Sequence, residues 1–554
     1  LTSVEKEGLY LDTEFNQKLL EEYKPKIDAA RQAIYDLPRV KKFTKKYNQV
    51  KIEKYIESIE AELEELDYND PKDKRKIDSR EQKISNIRAG IFTTKKEQEL
   101  IRPINLGSPV DLPQLMYSDS GFKFPVIKNN ESGKPSTDED TLVELRLTVK
   151  DPESPKAIFL DKLLELRGLQ KMYTTYIEGW HEKVQDDSRL HGRYNIHGTD
   201  SNRFSSADPN MQQIPKTSVD PNIKKQLVAP PGYLYMAFDY SQAELRMMAH
   251  LSGDETYLEA FAKGVDPHLG IAAAKYGVPI EEASKIYEDE SHPDHKLWKV
   301  RRKQAKQIAF GLIYGIGDAL LAVKLSDPKA GIIVTKEEAR KEMDEFFKKH
   351  PKILKFKEKQ EKFLRKHGYY TQLFGTKRRL PQIYSNDKQE VAYAIRLGLN
   401  FPCQGAAANM TNFGAILVYW LMRQGKLPRM LEVATVHDAA YFYSKPEYIN
   451  TWTVFKIWDI LRNPSTKKYF GFQVDDVDMS MDFSIGRSMA EELPFIPGYD
   501  YRKMLQPDFS VEEYMEEHKK YKNVIIKDYP KLFSKEIKQY EEDFKGKLRL
   551  HWLP

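Results

Sequence analysis

The stretch TVHDAAYF, residues Thr435 to Phe442, puts a His-Asp pair at the end of an apolar, β-branched run (Leu431, Val433, Thr435, Val436) and follows it with two alanines and aromatics. Such alternation predicts a strand, and His437 and Asp438 predict a tight reversal. A carboxylate at a strand tip has two readings. It can be a turn aspartate that bonds its own backbone, or it can hold something beyond the strand. The small neighbour, Ala439, belongs to the same question. YLYMAFDY, Tyr233 to Tyr240, repeats the pattern and ends its strand on Asp239. Two such aspartates on adjacent strand tips could hold a pair of divalent cations, because Mg²⁺ keeps several waters and needs only one or two carboxylates plus substrate phosphates. The spacing alone leaves open whether Asp239 and Asp438 meet.

Between them lies WKVRRKQAKQIAFGLIYG, residues 298–315. Arg302, Lys306 and Phe310 fall at successive steps of four and so line one helical face. Two cations and a flat ring suit a triphosphate lying along a helix with a base or sugar at its end. The alternative is a basic surface helix, for which Gly311, Tyr314 and Gly315 are odd choices.

With 554 residues the chain is too long for one core, so several domains are expected. Lys and Arg total 88 against 83 acids, a net charge of +5 that neither demands nor excludes a polyanionic partner. One cysteine, Cys403, excludes an internal disulfide and suits a reducing compartment. The longest apolar run, Phe413 to Met422, is far short of a bilayer span, and the N-terminus carries no signal-peptide pattern. A soluble, cytoplasmic protein with no membrane partner is expected, in a bacterium or in the host if viral. Because the chain starts at Leu1, a fragment or processed product is expected too.

Residues from about Phe15 to Leu100 read as helical, as in YIESIEAELEELD. Two basic stretches, Arg39 to Lys51 and Pro71 to Lys83, read as solvated faces of a helical hairpin or as nucleic-acid contacts, with Phe43 and Tyr47 among the lysines favouring the latter. From Pro103 to about Asp140, Pro, Gly, Ser and Asn predict loops. Helix resumes at DTLVELRL and around residues 157–180, and a long helical region is predicted from about Gln242 to Leu399. YEDESHPDH, Tyr287 to His295, reads as a solvated loop, since its His and Asp residues lack a recognisable ligand spacing.

DYSQAELR (239–246), RRKQAKQIAFGLIYG (301–315) and VHDA (436–439) resemble, in order, motifs A, B and C of family A DNA polymerases, the DNA polymerase I type. SNRFSSADPNMQQIP (201–215), RLGLNFPCQGAAAN (396–409), GKPSTDEDTLVEL (133–145) and EKEGLYLD (5–12) resemble other segments of that family, so the likeness runs roughly from Glu5 to Arg487. It implies an α+β right-hand fold: a start at 1–23, a thumb at 24–132, a palm with an antiparallel sheet at 133–241 and 396–490, and fingers at 242–395. A C-terminal extension at 491–554 would be free to dock replication proteins or brace the palm. If the parent protein carries the proofreading domain common in that family, this fragment is expected to omit it.

The same resemblance implies DNA synthesis on primer-template DNA from dNTPs. Asp239 and Asp438, with the carbonyl of Tyr240, would bind two Mg²⁺ ions, for which Mn²⁺ could substitute. One ion would activate the primer 3′-hydroxyl and the other the pyrophosphate leaving group. Arg302 and Lys306 would grip the triphosphate, with Gln242, His268, Phe310 and Tyr314 around the nucleotide. Arg203, Asn210, Gln212, Arg396, Asn400, Gln404 and His437 would contact the duplex. Donors of this kind suit the minor groove, where all four bases offer an acceptor at N3 or O2. Glu244 would exclude a 2′-hydroxyl; with Phe310 it argues against a single-subunit RNA polymerase. Where the family usually reads His-Asp-Glu, this chain has Ala439, which keeps a non-catalytic DNA-binding protein in view; a damaged but active metal site is expected. Ala243 replaces a common Ile and Ala309 a common Asn. The first predicts a looser nucleotide pocket, and Phe310 in place of Tyr predicts poor use of dideoxynucleotides.

Overall fold

The computed structural model describes residues 2–326, 334–436, 438–462, 464 and 466–519. His437 and the segment KYKNVIIKDYPKLF (520–533) lie outside the described residues. The chain divides into two compact units: Glu21–Lys171, and the remainder on either side of it.

In the first unit, α1 (Pro38–Glu64) and α2 (Pro71–Arg88) form the expected hairpin. Asp70 caps α2 by accepting from the Lys72 amide, and Pro71 supplies the preset φ of a first helical residue. Ile56, Ile59 and Leu63 of one helix pack on Ile77, Ile84 and Ile87 of the other. The basic residues stay outside, some in interhelical pairs such as Arg80–Glu62 at 2.9 Å. Phe43 is not available to stack on a base: it is 2% exposed. Its ring packs on Tyr47 at 5.4 Å, and Tyr47 donates to Asp111 Oδ1 at 3.2 Å. An aromatic among lysines marks here the buried stripe of an amphipathic helix.

The loop predicted from Pro103 is broken by a helix, Asp111–Tyr117, whose first turn is tied to Ser108 Oγ at 3.1 Å and whose Leu112, Leu115 and Met116 are buried. Segment 133–171, expected with the palm, packs in this unit. The reason is α3 (Pro155–Lys171), whose Phe159 stacks on Phe122 with centroids 4.3 Å apart.

The second unit is built on a five-stranded antiparallel sheet. Its strands are β1 (Leu234–Tyr240), β2 (Leu431–Val436), β3 (Ala439–Ser444), β4 (Met481–Gly486) and β5 (Leu493–Pro494), in the order β5-β4-β1-β3-β2. The opening stretch is therefore a hairpin, with β2 and β3 joined through positions 437 and 438. Phe238 and Phe442 turn into the core, where Phe238 also meets Phe483 at 4.6 Å. The core face is covered by helices, among them α4 (Ala243–Ser252) and the long α7 (Lys388–Arg423), with Ala406, Ala407 and Met410 in the same cluster. Two further helices, α5 (Pro267–Tyr276) and α6 (His295–Ile313), complete the set that matters for the site. Beyond β5, Phe495, Tyr501, Met504 and Tyr514 are buried in that same core, so this part of the expected extension is structural.

Replacing Phe159 with Ala should cost about 3–5 kcal/mol and lower the urea midpoint of the first unit, measured by circular dichroism.

Candidate active site

The cross-strand register brings the two sequence-predicted carboxylates together. Asp239 of β1 lies opposite Ala439 of β3, and the Tyr240 amide donates to the Asp438 carbonyl at 3.4 Å. A cavity of about 850 Å³ opens above them. Asp239, Asp438 and Ala439 lie along it with Tyr240, Gln242 and Glu244, and α6 supplies Arg302, Lys306 and Phe310. The row of four-residue steps lies on one face of α6, as the spacing predicted, and the structure turns that face toward the strand tips.

Most of the predicted residues are held by identifiable partners. Arg203 Nη2 donates to Glu244 Oε1 at 2.5 Å and to both Asp438 carboxylate oxygens at 3.1 and 3.4 Å. Arg302 donates to Asp266 Oδ2 at 2.6 Å, and Gln242 donates to the same oxygen at 3.3 Å. Gln242 reaches it from a left-handed residue at φ 57° that starts α4. Asp266 also caps α5 through the Leu269 amide. Burial opposes its charge, yet the Arg302 guanidinium and that amide hold its carboxyl below the usual range. Next to it, His268 is fully buried, its ring 5.5 Å from Phe310 and both ring nitrogens without a hydrogen-bond partner. Phe310 packs in turn on Tyr314 at 5.8 Å, where α6 ends.

The expected duplex-contacting residues are less uniform. Gln212 donates to the Thr435 carbonyl at the end of β2, and Asn210 accepts from the Gln212 amide at 3.0 Å. Arg396, Asn400 and Gln404 all lie on α7 at the predicted spacing, and Gln404 hydrogen-bonds Glu244. The aliphatic part of Arg396 lies against Gly315, a residue at φ +76° that carries the chain away from α6. Sequence reasoning missed Asp266, Asp482 and Glu492. The last two line the same cavity, and Asp482 sits in β4 opposite Asp239. The alternation MDFSIG was the available signal for Asp482, and an Asp before Pro267 was the capping signal for Asp266.

Desolvation between the cleft walls, followed by the negative charges of Asp438, Asp482 and Glu492, pushes the Asp239 carboxyl up to about 7. Asp239 has no hydrogen bond or ion pair among the described residues. An unneutralised carboxylate beside a second one, in an open cleft, fits a hard divalent cation with oxygen ligands. Among the described residues, no three His, Cys, Asp or Glu side chains converge on one closed metal site. The Tyr287–His295 stretch runs from the last turn of a helix (Ile280–Glu288) to the start of α6, where His295 is buried.

The model of DNA polymerase family A matches residues 74–491. DNA polymerase I of Pseudomonas aeruginosa is 34% identical over 337 residues, which are 60% of this chain and 33% of that protein. The thermostable DNA polymerase I of Thermus aquaticus is 32% identical over 339 residues, 61% of this chain and 37% of its own length. The POL domain of Pol1 from M. smegmatis, solved in complex with DNA primer-template and dNTP, superposes with a TM-score of 0.63 at 25% identity. That match covers 88% of this chain and 68% of the other. The fold and the ordered motifs thus agree with the match by sequence: the chain belongs to DNA polymerase family A. It spans about a third of the length of the curated relatives it matches.

Burial, reinforced by Arg302 and Lys306 against the opposing pull of Asp266, holds the His268 imidazole down at about 4. The unfolded chain therefore binds the extra proton between roughly pH 6.5 and 4, and stability falls as pH drops through that window. The thermal midpoint should fall less steeply between pH 6.5 and 4 for His268→Phe than for the parent.

Proposed function

We propose that this chain catalyses template-directed DNA synthesis, adding a nucleotide from a dNTP to a primer 3′-hydroxyl with release of pyrophosphate. The observation that carries this reading is the convergence, in one cleft, of Asp239 and Asp438 with the Arg302–Lys306–Phe310 face and Glu244. The polyanionic substrate suits the cationic face of α6, held in place by Asp266. A triphosphate gathers its charge beside Arg302 and Lys306 as the bond to the leaving group breaks. Phe310, backed by His268 and Tyr314, offers a flat surface to the sugar and base. Glu244, fixed between Arg203 and Gln404, presents a rigid wall where a 2′-hydroxyl would enter. Asp239, Asp438 and the Tyr240 carbonyl are the residues that would hold divalent cations, Mg²⁺ or Mn²⁺, which lower the pKa of the attacking hydroxyl and neutralise the leaving group when bound.

Arg203, Asn210, Gln212, Arg396, Asn400, Gln404 and His437 are assigned to the primer-template duplex near its growing end. Residues 24–132 are assigned to the thumb, 133–241 and 396–490 to the palm and 242–395 to the fingers, with 133–171 packing in the same unit as the thumb. The same reading assigns the protein to the cytoplasm. It gives the C-terminal extension, 491–554, the contacts with replication proteins.

Primer extension on a defined template, with Mg²⁺ and either dNTPs or rNTPs, tests the assignment. Extension with dNTPs alone, lost in Asp438→Asn, is expected. Extension with rNTPs would overturn the role of Glu244, and binding without synthesis under Mg²⁺ or Mn²⁺ would establish a non-catalytic DNA-binding protein. Ala243→Ile, which refills the space beside Gln242, should lower misincorporation in the same assay; an unchanged error rate would count against a loosened pocket.

A further inference from the structure

β1 is flanked on both sides at the level of Asp239. On one side its partner is Ala439, a residue without a polar side chain; on the other it is Asp482 of β4. Residues directly opposite on an antiparallel pair share a face of the sheet, with Cβ atoms about 4.5–5.5 Å apart. Ala439, Asp239 and Asp482 therefore form one row across three strands, and all three line the cleft. Like charges directly opposite each other weaken a strand pair, and neither carboxylate has a hydrogen bond or ion pair among the described residues. Glu492, the other acid on that flank, is paired with Lys224 at 3.4 Å. Asp482 feels the positive charge of Arg246 but makes no ion pair or side-chain hydrogen bond with it, which leaves its carboxylate oxygens open beside Asp239.

We propose that Asp482 is a third carboxylate of the cation site, accepting hydrogen bonds from water on the divalent cation that Asp239 ligates. It supplies from β4 the negative charge that Ala439 does not supply from β3. The assignment rests on the reading of Asp239 as a metal ligand. A water-mediated role suits Mg²⁺, which dehydrates reluctantly and takes few direct carboxylates. Groups that hold a metal's waters or ligands typically change its affinity by about 10–100-fold. Asp482 is thus a positioning residue rather than a catalytic one.

Mn²⁺ alone, titrated into the full chain bound to primer-template, provides the test, with free Mn²⁺ read by its paramagnetic resonance signal. Asp482→Asn, nearly isosteric, should weaken Mn²⁺ binding about tenfold, Asp482→Glu should retain most of it, and Glu492→Gln should leave it near the parent value. Parent-like binding by Asp482→Asn overturns the proposal. So does an equal loss in Asp482→Glu, which would mean packing, or in Glu492→Gln, which would mean a diffuse field. Asp239→Asn, run alongside, separates the two levels: if it too binds Mn²⁺ like the parent, the metal-centre reading itself falls.

Discussion

A strand places alternate side chains on opposite faces, so a slip of one residue in β1 would carry Asp239 from the cleft into the core. The aromatic residues on the other face prevent that slip. Phe238 is wedged between Phe442 and Phe483, one from each neighbouring strand, with centroids at 6.1 and 4.6 Å. Tyr240 is anchored on the same side by a hydrogen bond to the Leu461 carbonyl. Apolar packing on one face thus fixes the chemistry on the other. The alignment of β3 and β4 with β1 then settles which residues stand next to Asp239.

Charge in the cleft is separated by element. Its floor, made of strand ends, is acidic, whereas α6 presents Arg302 and Lys306 across the gap. Opposite charges attract across such a gap, and two of these groups have closer partners. Asp266 engages Arg302 away from the strand tips, and Arg203 engages Asp438 from the side. Burial and neighbouring positive charge lower the pKa of Lys306, which leaves it responsive to any anion that enters.

The parts of this arrangement that were legible in the sequence are those encoded locally. Apolar runs ending in Asp239 and Asp438 gave the strand tips, and steps of four gave the faces of α6 and α7. What escaped depends on pairing between distant segments. Nothing near Asp482 announces that β4 aligns it with Asp239, since that register is set by Phe483 against Phe238. Asp266 reads locally as a helix cap, and only the folded structure shows it also clasping Arg302 and Gln242. Phe43 was misread for a related reason: its lysine neighbours are visible in the sequence, while the helix it packs against is not.

Arg203 has a further consequence. Its guanidinium is the shared counter-ion of Glu244 and of Asp438, two acids that line the same cleft. One positive charge cannot fully compensate both, so whatever draws it toward one acid leaves the other more negative. The electrostatics of Glu244 and Asp438 are therefore linked through a single residue. Changes at Glu244 and Asp438 will not combine additively, because residues sharing a partner do not act independently. The charge state of this part of the cleft is a property of the triad and not of Glu244 alone.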